Sequence, residues 1–248
     1  MKAIVHIASY PLSVIFLLLF GAILLIFDPI QRVCLRVFGY QAHKKSVDCF
    51  NALLVRSLHV LGTRFEITNK GSIPDNAPII IVSNHQSLWD IPPILWFLRK
   101  YHPKFISKKE LGKGIPSVSY NLKYGGSALI DRKNPKQAIG EMIKFANYLT
   151  THNRSGVIFP EGTRSRNGIP KPFRRNGLRT LFEHAPNAYV LPITFNNSWK
   201  LQRFGMFPVP LGTTFEMLIH PVINVSEYST EELIDTIEKT ITAQIHTP

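Results

Sequence analysis

The 248-residue chain is poor in cysteine and in acid: it has two cysteines, Cys34 and Cys49, and sixteen Asp and Glu against twenty-nine Lys and Arg. Two cysteines build neither a disulfide framework nor a thiolate metal cluster, and such usage suits a reducing compartment. No Gly-x-Ser-x-Gly turn is present, so the nucleophile elbow of serine hydrolases is missing. Zinc-finger spacing, an RNP block, internal repeats and low-complexity tracts are also missing. The shortage of acid leaves a formal charge of +13, which calls for an anionic partner. Without a nucleic-acid fold signature that partner reads as a membrane surface rather than nucleic acid.

What is present begins with an apolar N-terminus. Pro11 to Phe27 is nearly unbroken apolar sequence, extending weakly back to Ala3, at the short end for crossing a bilayer. Asp28-Pro29-Ile30-Gln31-Arg32 follows it, and this is no small-residue cleavage site, which argues against a removed signal peptide. Arg32, Arg36, Lys44 and Lys45 outweigh Lys2, so the positive-inside tendency predicts an inner (cytoplasmic) membrane with the catalytic domain on its cytoplasmic side. Phe50 to Leu61 carries apolar residues around Arg56 and His59; it suits an interfacial segment or a re-entrant pair with the first. The expected division is a membrane anchor over residues 1–61 and a catalytic domain over 62–248.

Beyond the anchor, short apolar runs alternate with helical patterns. Ile79–Val82, Ala128–Ile130, Val157–Phe159 and Ala188–Phe195 read as strands. Gln137 to Thr151, with Ile139, Met142, Ile143, Ala146 and Leu149 on one face, and Arg175 to His184 read as helices. The pattern predicts an α/β fold with a mostly parallel central sheet flanked by helices, behind N-terminal membrane-associated helices. In such sheets ligands bind beyond the carboxyl ends of the strands. His85, Asp131-Arg132 and Glu161–Arg164 all follow their strands directly, so they can share one crevice.

Asn84-His85-Gln86-Ser87-Leu88-Trp89-Asp90 places an imidazole and a carboxylate five positions apart after a buried strand. His85 in that position suits a base whose tautomer Asp90 fixes. A polar turn with Asp90 as helix cap fits the same residues. Phe159-Pro160-Glu161-Gly162-Thr163-Arg164 repeats the layout, with a glycine for a sharp turn and a guanidinium fork suited to phosphate. A surface Glu–Arg pair is the competing reading. The other eight histidines show no ligand spacing and read as solvated or structural.

These segments resemble the 1-acyl-sn-glycerol-3-phosphate acyltransferase family of the glycerolipid acyltransferase superfamily, over roughly residues 60–222. Asn84 to Asp90 matches its His-x-x-x-x-Asp block, Phe105-Ile106-Ser107-Lys108-Lys109-Glu110-Leu111 is similar to its Lys-x-Glu-Leu segment, and Gly126 to Arg132 resembles the second block. Phe159 to Ser165 matches the third, and Val190-Leu191-Pro192-Ile193 is similar to the fourth. The resemblance implies that His85, oriented by Asp90, takes the proton from the free hydroxyl of a lysophospholipid. That oxygen then attacks the thioester of acyl-CoA or an acylated carrier protein directly, with no acyl-enzyme and no cofactor beyond that co-substrate. It further implies that Glu161, Gly162, Thr163 and Arg164 bind the acceptor, Glu161 at the glycerol and Arg164 at the phosphate, with Arg132 and Lys108 as secondary phosphate residues. Backbone amides near Gly162 are candidate oxyanion donors. One departure stands out: Phe173 lies one residue further from Gly177 than in the family's Phe-Lys-x-Gly segment, which suggests a differently shaped pocket beside the acceptor.

The tail offers a capping box at Ser229-Thr230-Glu231-Glu232 and a stripe of Leu233, Ile234, Ile237, Ile241 and Ile245, suited to packing on the sheet. Ser165–Pro172 and Asn197–Pro210 are expected to be mobile loops. The second is aromatic, at Trp199, Phe204 and Phe207, and suits either a cover for an acyl tunnel or ordinary loop packing. Three function classes remain: a membrane-bound acyltransferase, which the resemblance implies makes phosphatidate from lysophosphatidate or acylates another lysophospholipid or glycerol phosphate; a non-catalytic protein binding anionic lipid; and a hydrolase using His85 and Asp90 as metal ligands.

Overall fold

The computed structural model describes residues 2–246. The side chains of Lys2 and Ala3, which enter the charge-asymmetry and apolar-run readings, lie outside the described residues.

Among the described residues eight strands form one sheet: β1 Arg64–Asn69, β2 Ile79–Ser83, β3 Lys104–Lys108, β4 Ala128–Ile130, β5 Ser155–Ile158, β6 Tyr189–Asn196, β7 Thr214–Ile219 and β8 Ile223–Asn224. Their order is β1-β7-β6-β2-β5-β3-β4, with β8 beside β6. Only the pairings of β6 with β7 and with β8 are antiparallel. The expected mostly parallel α/β sheet is therefore the observed one.

Position in the sheet follows from composition. β2 reads Ile-Ile-Ile-Val-Ser, is buried throughout, and lies between β5 and β6 in parallel register. A continuous apolar run suits a strand covered on both faces. Alternation then divides its side chains. Ile80 and Val82 face a core with Leu149, Leu178 and Ile237 from helices α4 (Pro135–His152), α5 (Arg175–His184) and α6 (Thr230–Thr242). Ile79 and Ile81 face a second core with Phe16, Leu58, Trp89 and Ile94. The stripe on α6 accordingly packs on the sheet, and its Ser229–Glu232 capping box is formed.

The sequence pattern misses β1, β3, β7 and β8. β1 and β7 alternate half-buried or buried positions with more exposed ones, so neither carries an apolar run. β3 was visible only as a family segment, because its Lys104 and Lys108 break the run.

The N-terminal segment is a single assignment, α1 (Lys2–Ser57), broken at Gly39, whose φ of 76° only glycine adopts without strain. The two arms fold back on each other, bringing Phe27 to 5.7 Å from Phe50 between ring centroids. The most apolar 18-residue window of α1 is only 11% buried. A core helix would be covered; this one presents Ile4, Ile7, Leu18, Leu25 and Phe38 outward, each more than half exposed. Such a surface suits association with a membrane. The opposite side of α1 is anchored: Ser13 Oγ accepts from Val209 N at 2.8 Å, Phe16 is fully buried against Trp89, and Asp28 accepts from Ser117 N at 2.8 Å. Past the break, Tyr40 is covered by the Arg154 guanidinium at 3.9 Å and reaches His102 Nδ1 at 2.9 Å.

His220, which follows β7, joins β6 to α6. Thr194 Oγ1 donates to Ile241 O, so toward His220 it acts as acceptor, and the imidazole carries its proton on Nε2. Burial pushes the His220 pKa down to about 4, and the Lys70 charge adds to this. Between pH 6.5 and 4 the unfolded chain therefore binds a proton that the folded chain does not, and stability falls as pH falls. The expected loss is on the order of 1–3 kcal/mol by pH 4. Thermal unfolding followed by circular dichroism from pH 7 to pH 4 should show a shallower fall for His220→Gln; identical slopes would place the acid sensitivity elsewhere.

Candidate active site

The chain leaves β2 through Asn84, whose side chain pairs with both backbone groups of Phe195: Nδ2 donates to its carbonyl at 2.9 Å and Oδ1 accepts from its N–H at 2.7 Å. This closes the gap where β2 ends and β6 continues. His85 comes next, and its ring Nδ1 lies 2.8 Å from Asp90 Oδ2. The same Asp90 oxygen accepts from Gln86 N and Ser87 N at 2.8 and 2.9 Å, while Oδ1 accepts from the Ser198 hydroxyl at 2.5 Å. A carboxylate is acceptor-only, so Nδ1 carries the imidazole proton and Nε2 presents its lone pair. Asp90 is fully buried, whereas the His85 side chain keeps 16% exposure. His85 is thus half of a pair held at its back and open at its front. Asp90 also serves in a capping box of the short 3-10 turn Leu88–Asp90, so the capping and orienting readings hold together.

The turn after β5 grips His85 from the other side. Phe159 stacks on the imidazole with centroids 4.1 Å apart and planes 14° from parallel. Glu161 Oε1 accepts from His85 N at 2.7 Å, and Ser165 N donates to His85 O at 2.7 Å. Glu161 Oε2 accepts from Lys171 N at 2.9 Å. Burial pushes the Glu161 carboxyl up, opposed by these backbone bonds. At 2% exposure, with one backbone N–H on each oxygen, Glu161 braces two loops.

Gly162 sits at φ 70°, and a Cβ there would lie 3.1 Å from Arg174 Nε. Its N–H is engaged with Phe159 O at 3.0 Å and its carbonyl accepts from Arg132. Of the backbone amides in this turn, that of Gly162 itself is therefore already engaged. Thr163 is exposed at the tip of the turn. Arg164 donates to Gln202 Oε1 at 3.0 Å, and the same oxygen accepts from Leu88 N at 3.0 Å. Burial pushes the Arg164 pKa down, with Arg166 beside it. Arg164, Arg166, Leu88, Gln202, Gly205 and Met206 line a cleft of about 260 Å³. Burial also lowers Arg132. Lys108 is exposed at the carboxyl end of β3, on the same edge of the sheet.

The structure thus bonds His85 directly to Asp90 and Glu161, ties Arg132 to the neighbouring Gly162 carbonyl, and joins Arg164 through Gln202 to Leu88. Phe173 is buried in the core and Gly177 packs on Met142 and Ile158, while Arg174 between them donates its N–H to Pro160 O at 2.9 Å and lies against Gly162. Both presumed mobile loops have fixed contacts, through Ser165 and Lys171 in one and Ser198, Leu201 and Gln202 in the other. Asn84, Phe159, Ser198 and Gln202 had no role in the sequence reading. Asn84 and Phe159 lay inside quoted motifs; Ser198 and Gln202 carry no local signal.

On a mostly parallel α/β sheet the site thus sets a histidine–carboxylate pair beside a cleft lined by two arginines. The family model for acyltransferases matches residues 64–196, just over half of the chain. A 1-acyl-sn-glycerol-3-phosphate acyltransferase of Borreliella burgdorferi is 28% identical over 196 residues, covering 77% of this chain and 75% of that one. One of Helicobacter pylori is 33% identical over 184 residues, covering 73% and 69%. The crystal structure of the 1-acyl-sn-glycerophosphate (LPA) acyltransferase PlsC from Thermotoga maritima superposes with a TM-score of 0.74 at 26% identity, over 98% of this chain and 95% of that one. The chain belongs to the 1-acyl-sn-glycerol-3-phosphate acyltransferase family, as its motifs implied.

Ser198 holds the oxygen of Asp90 that faces away from His85. Ser198→Ala should lower kcat about tenfold, the usual worth of a hydrogen bond to a charged group, with little change in KM. Steady-state kinetics over a pH series checks this, with Ser198→Thr restoring part of the rate. Unchanged kcat would leave Ser198 a packing residue only.

Proposed function

We propose that the protein transfers a fatty acyl group from acyl-CoA or an acyl-carrier protein to the free hydroxyl of 1-acyl-sn-glycerol-3-phosphate, forming phosphatidate for phospholipid synthesis. The observation that carries this reading is the His85–Asp90 pair, whose Nε2 has no protein partner among the described residues, next to the Arg164 cleft. The names of the family relatives supply the substrate class. His85 Nε2 takes the proton of the acceptor hydroxyl as its oxygen attacks the thioester carbonyl. The tetrahedral species then collapses, the C–S bond breaks, and the departing thiolate receives the proton from His85. Asp90 holds the imidazole and offsets the positive charge it acquires. Arg164, and behind it Arg166, Arg132 and Lys108, favour a phosphate-bearing acceptor. Gly162 and Thr163 form the turn that presents Arg164, and Glu161 fixes that turn to His85.

In the same reading, residues 1–61 hold the protein on the bilayer and residues 62–248 carry the chemistry. Arg32, Arg36, Lys44 and Lys45 favour placing the catalytic part on the cytoplasmic side.

Thiol release from acyl-CoA by detergent-solubilised protein, with and without lysophosphatidate, tests the reaction. Release should require the acceptor and fall at least a hundredfold in His85→Ala, the range of a lost general base. If acyl-CoA is inert, an acylated carrier protein is the donor to use; silence with both donors across several lysophospholipids would sink the reading. Arg164→Ala should raise the acceptor KM on the order of ten- to a hundredfold while leaving the donor KM nearly unchanged. The opposite pattern would assign Arg164 to the thioester donor.

A further inference from the structure

The loop between β6 and β7 has a cleft on each side. Gln202, Gly205 and Met206 face the Arg164 cleft, while Lys200, Arg203 and Phe204 line a second one of about 450 Å³. Asn197, Thr213 and Thr214 give the second cleft polar walls. Neither Lys200 nor Arg203 has a carboxylate partner among the described residues. Two unpaired cations over polar walls form a receptor for a single anionic group.

The loop tip beside this cleft is the opposite of polar, and Phe204 of that tip also lines the cleft. Phe204, Met206 and Phe207 are 49%, 45% and 42% exposed. Phe204 contacts His6 and Phe207 contacts Tyr10, with ring centroids 5.3 and 5.4 Å apart. The loop tip therefore continues the outward apolar face of α1, where Ile4 and Ile7 stand about 70% exposed. A cleft for a free soluble anion would have no use for an apolar loop tip beside it that continues the exposed apolar face of α1.

We propose that this cleft binds the phosphate of an anionic phospholipid in the bilayer, with Phe204, Met206 and Phe207 inserted among the acyl chains. Aromatic and thioether side chains enter the acyl boundary while Lys200 and Arg203, on long aliphatic stems, sit at the depth of the phosphates. Thr213 and Thr214 supply further hydrogen bonds to the headgroup, while Asn197 is held by Glu216 at 2.9 Å. The loop is thus a second point of membrane attachment beside α1, and it fixes the height of the Arg164 cleft above the lipid. This inference does not depend on which acyl acceptor is used, because its test reads binding.

Full-length protein is mixed with phosphatidylcholine vesicles, with or without phosphatidylglycerol, at lipid concentrations where the wild type is half bound, and sedimented. Each cation removed should weaken binding to the anionic vesicles about fivefold, so Lys200→Gln/Arg203→Gln should lose on the order of 25-fold there and almost nothing on phosphatidylcholine alone. High salt should abolish the difference. Phe204→Ser/Phe207→Ser should weaken binding to both vesicle types; these side chains are exposed, and circular dichroism confirms folding. Both double variants should keep wild-type thioester turnover in detergent micelles. Wild-type vesicle binding by the Lys200/Arg203 variant, or equal losses on both vesicle types, would overturn the headgroup site. A raised KM for acyl-CoA in micelles with vesicle binding intact would overturn it too, and would assign the cleft to the nucleotide of the donor.

Discussion

The backbone of His85 is clamped at both polar ends by a turn 76 to 80 residues further along the chain. Its N–H is held by Glu161 and its carbonyl by Ser165, while its ring is stacked on Phe159 and bonded to Asp90. A residue beyond the end of a strand has lost its ladder partners and needs others. Here those partners come from the turn after β5, the parallel neighbour of β2. The same clamp sets the imidazole and places Arg164 at the adjoining cleft. Glu161, buried with a backbone N–H on each oxygen, holds this geometry from both sides.

The apolar helix is joined to the same centre. Trp89, one residue before Asp90, packs edge-on against Phe16 and Phe20 of α1 with centroids 5.2 and 5.3 Å away. Phe16, Leu58 and Leu61 share the core of β2 and α2 (Ile91–Phe97). The residues expected to act as an anchor are therefore also part of the folded core that supports the His85–Asp90 turn. The exposed apolar face of α1 and the His85–Asp90 turn are thus tied to one core.

Legibility in the sequence followed the range of the interactions. β2 and α4 were visible because a continuous apolar run and an amphipathic repeat are local patterns. β1 and β7 were not, since their half-buried alternation depends on pairing with each other. The His85–Asp90 pair spans five residues and was readable. Ser198, 108 residues from Asp90, and Gln202, 114 residues from Leu88, were not, because a lone serine or glutamine acquires a partner only when β6 places it there.

By itself the sequence determined the alternating strand and helix pattern, the apolar N-terminal helix, the cationic excess and the residue types of the reacting pair, all of which are encoded over one or two turns of chain. Only the tertiary structure decided that Glu161 is a brace, that the Gly162 amide is engaged in its own turn, that Arg164 rests on Gln202, and that Phe204 and Phe207 extend the face of α1. Each of those outcomes turns on which donors and surfaces meet across the sheet, and hydrogen-bond partners and burial are properties of the folded chain, not of its local segments.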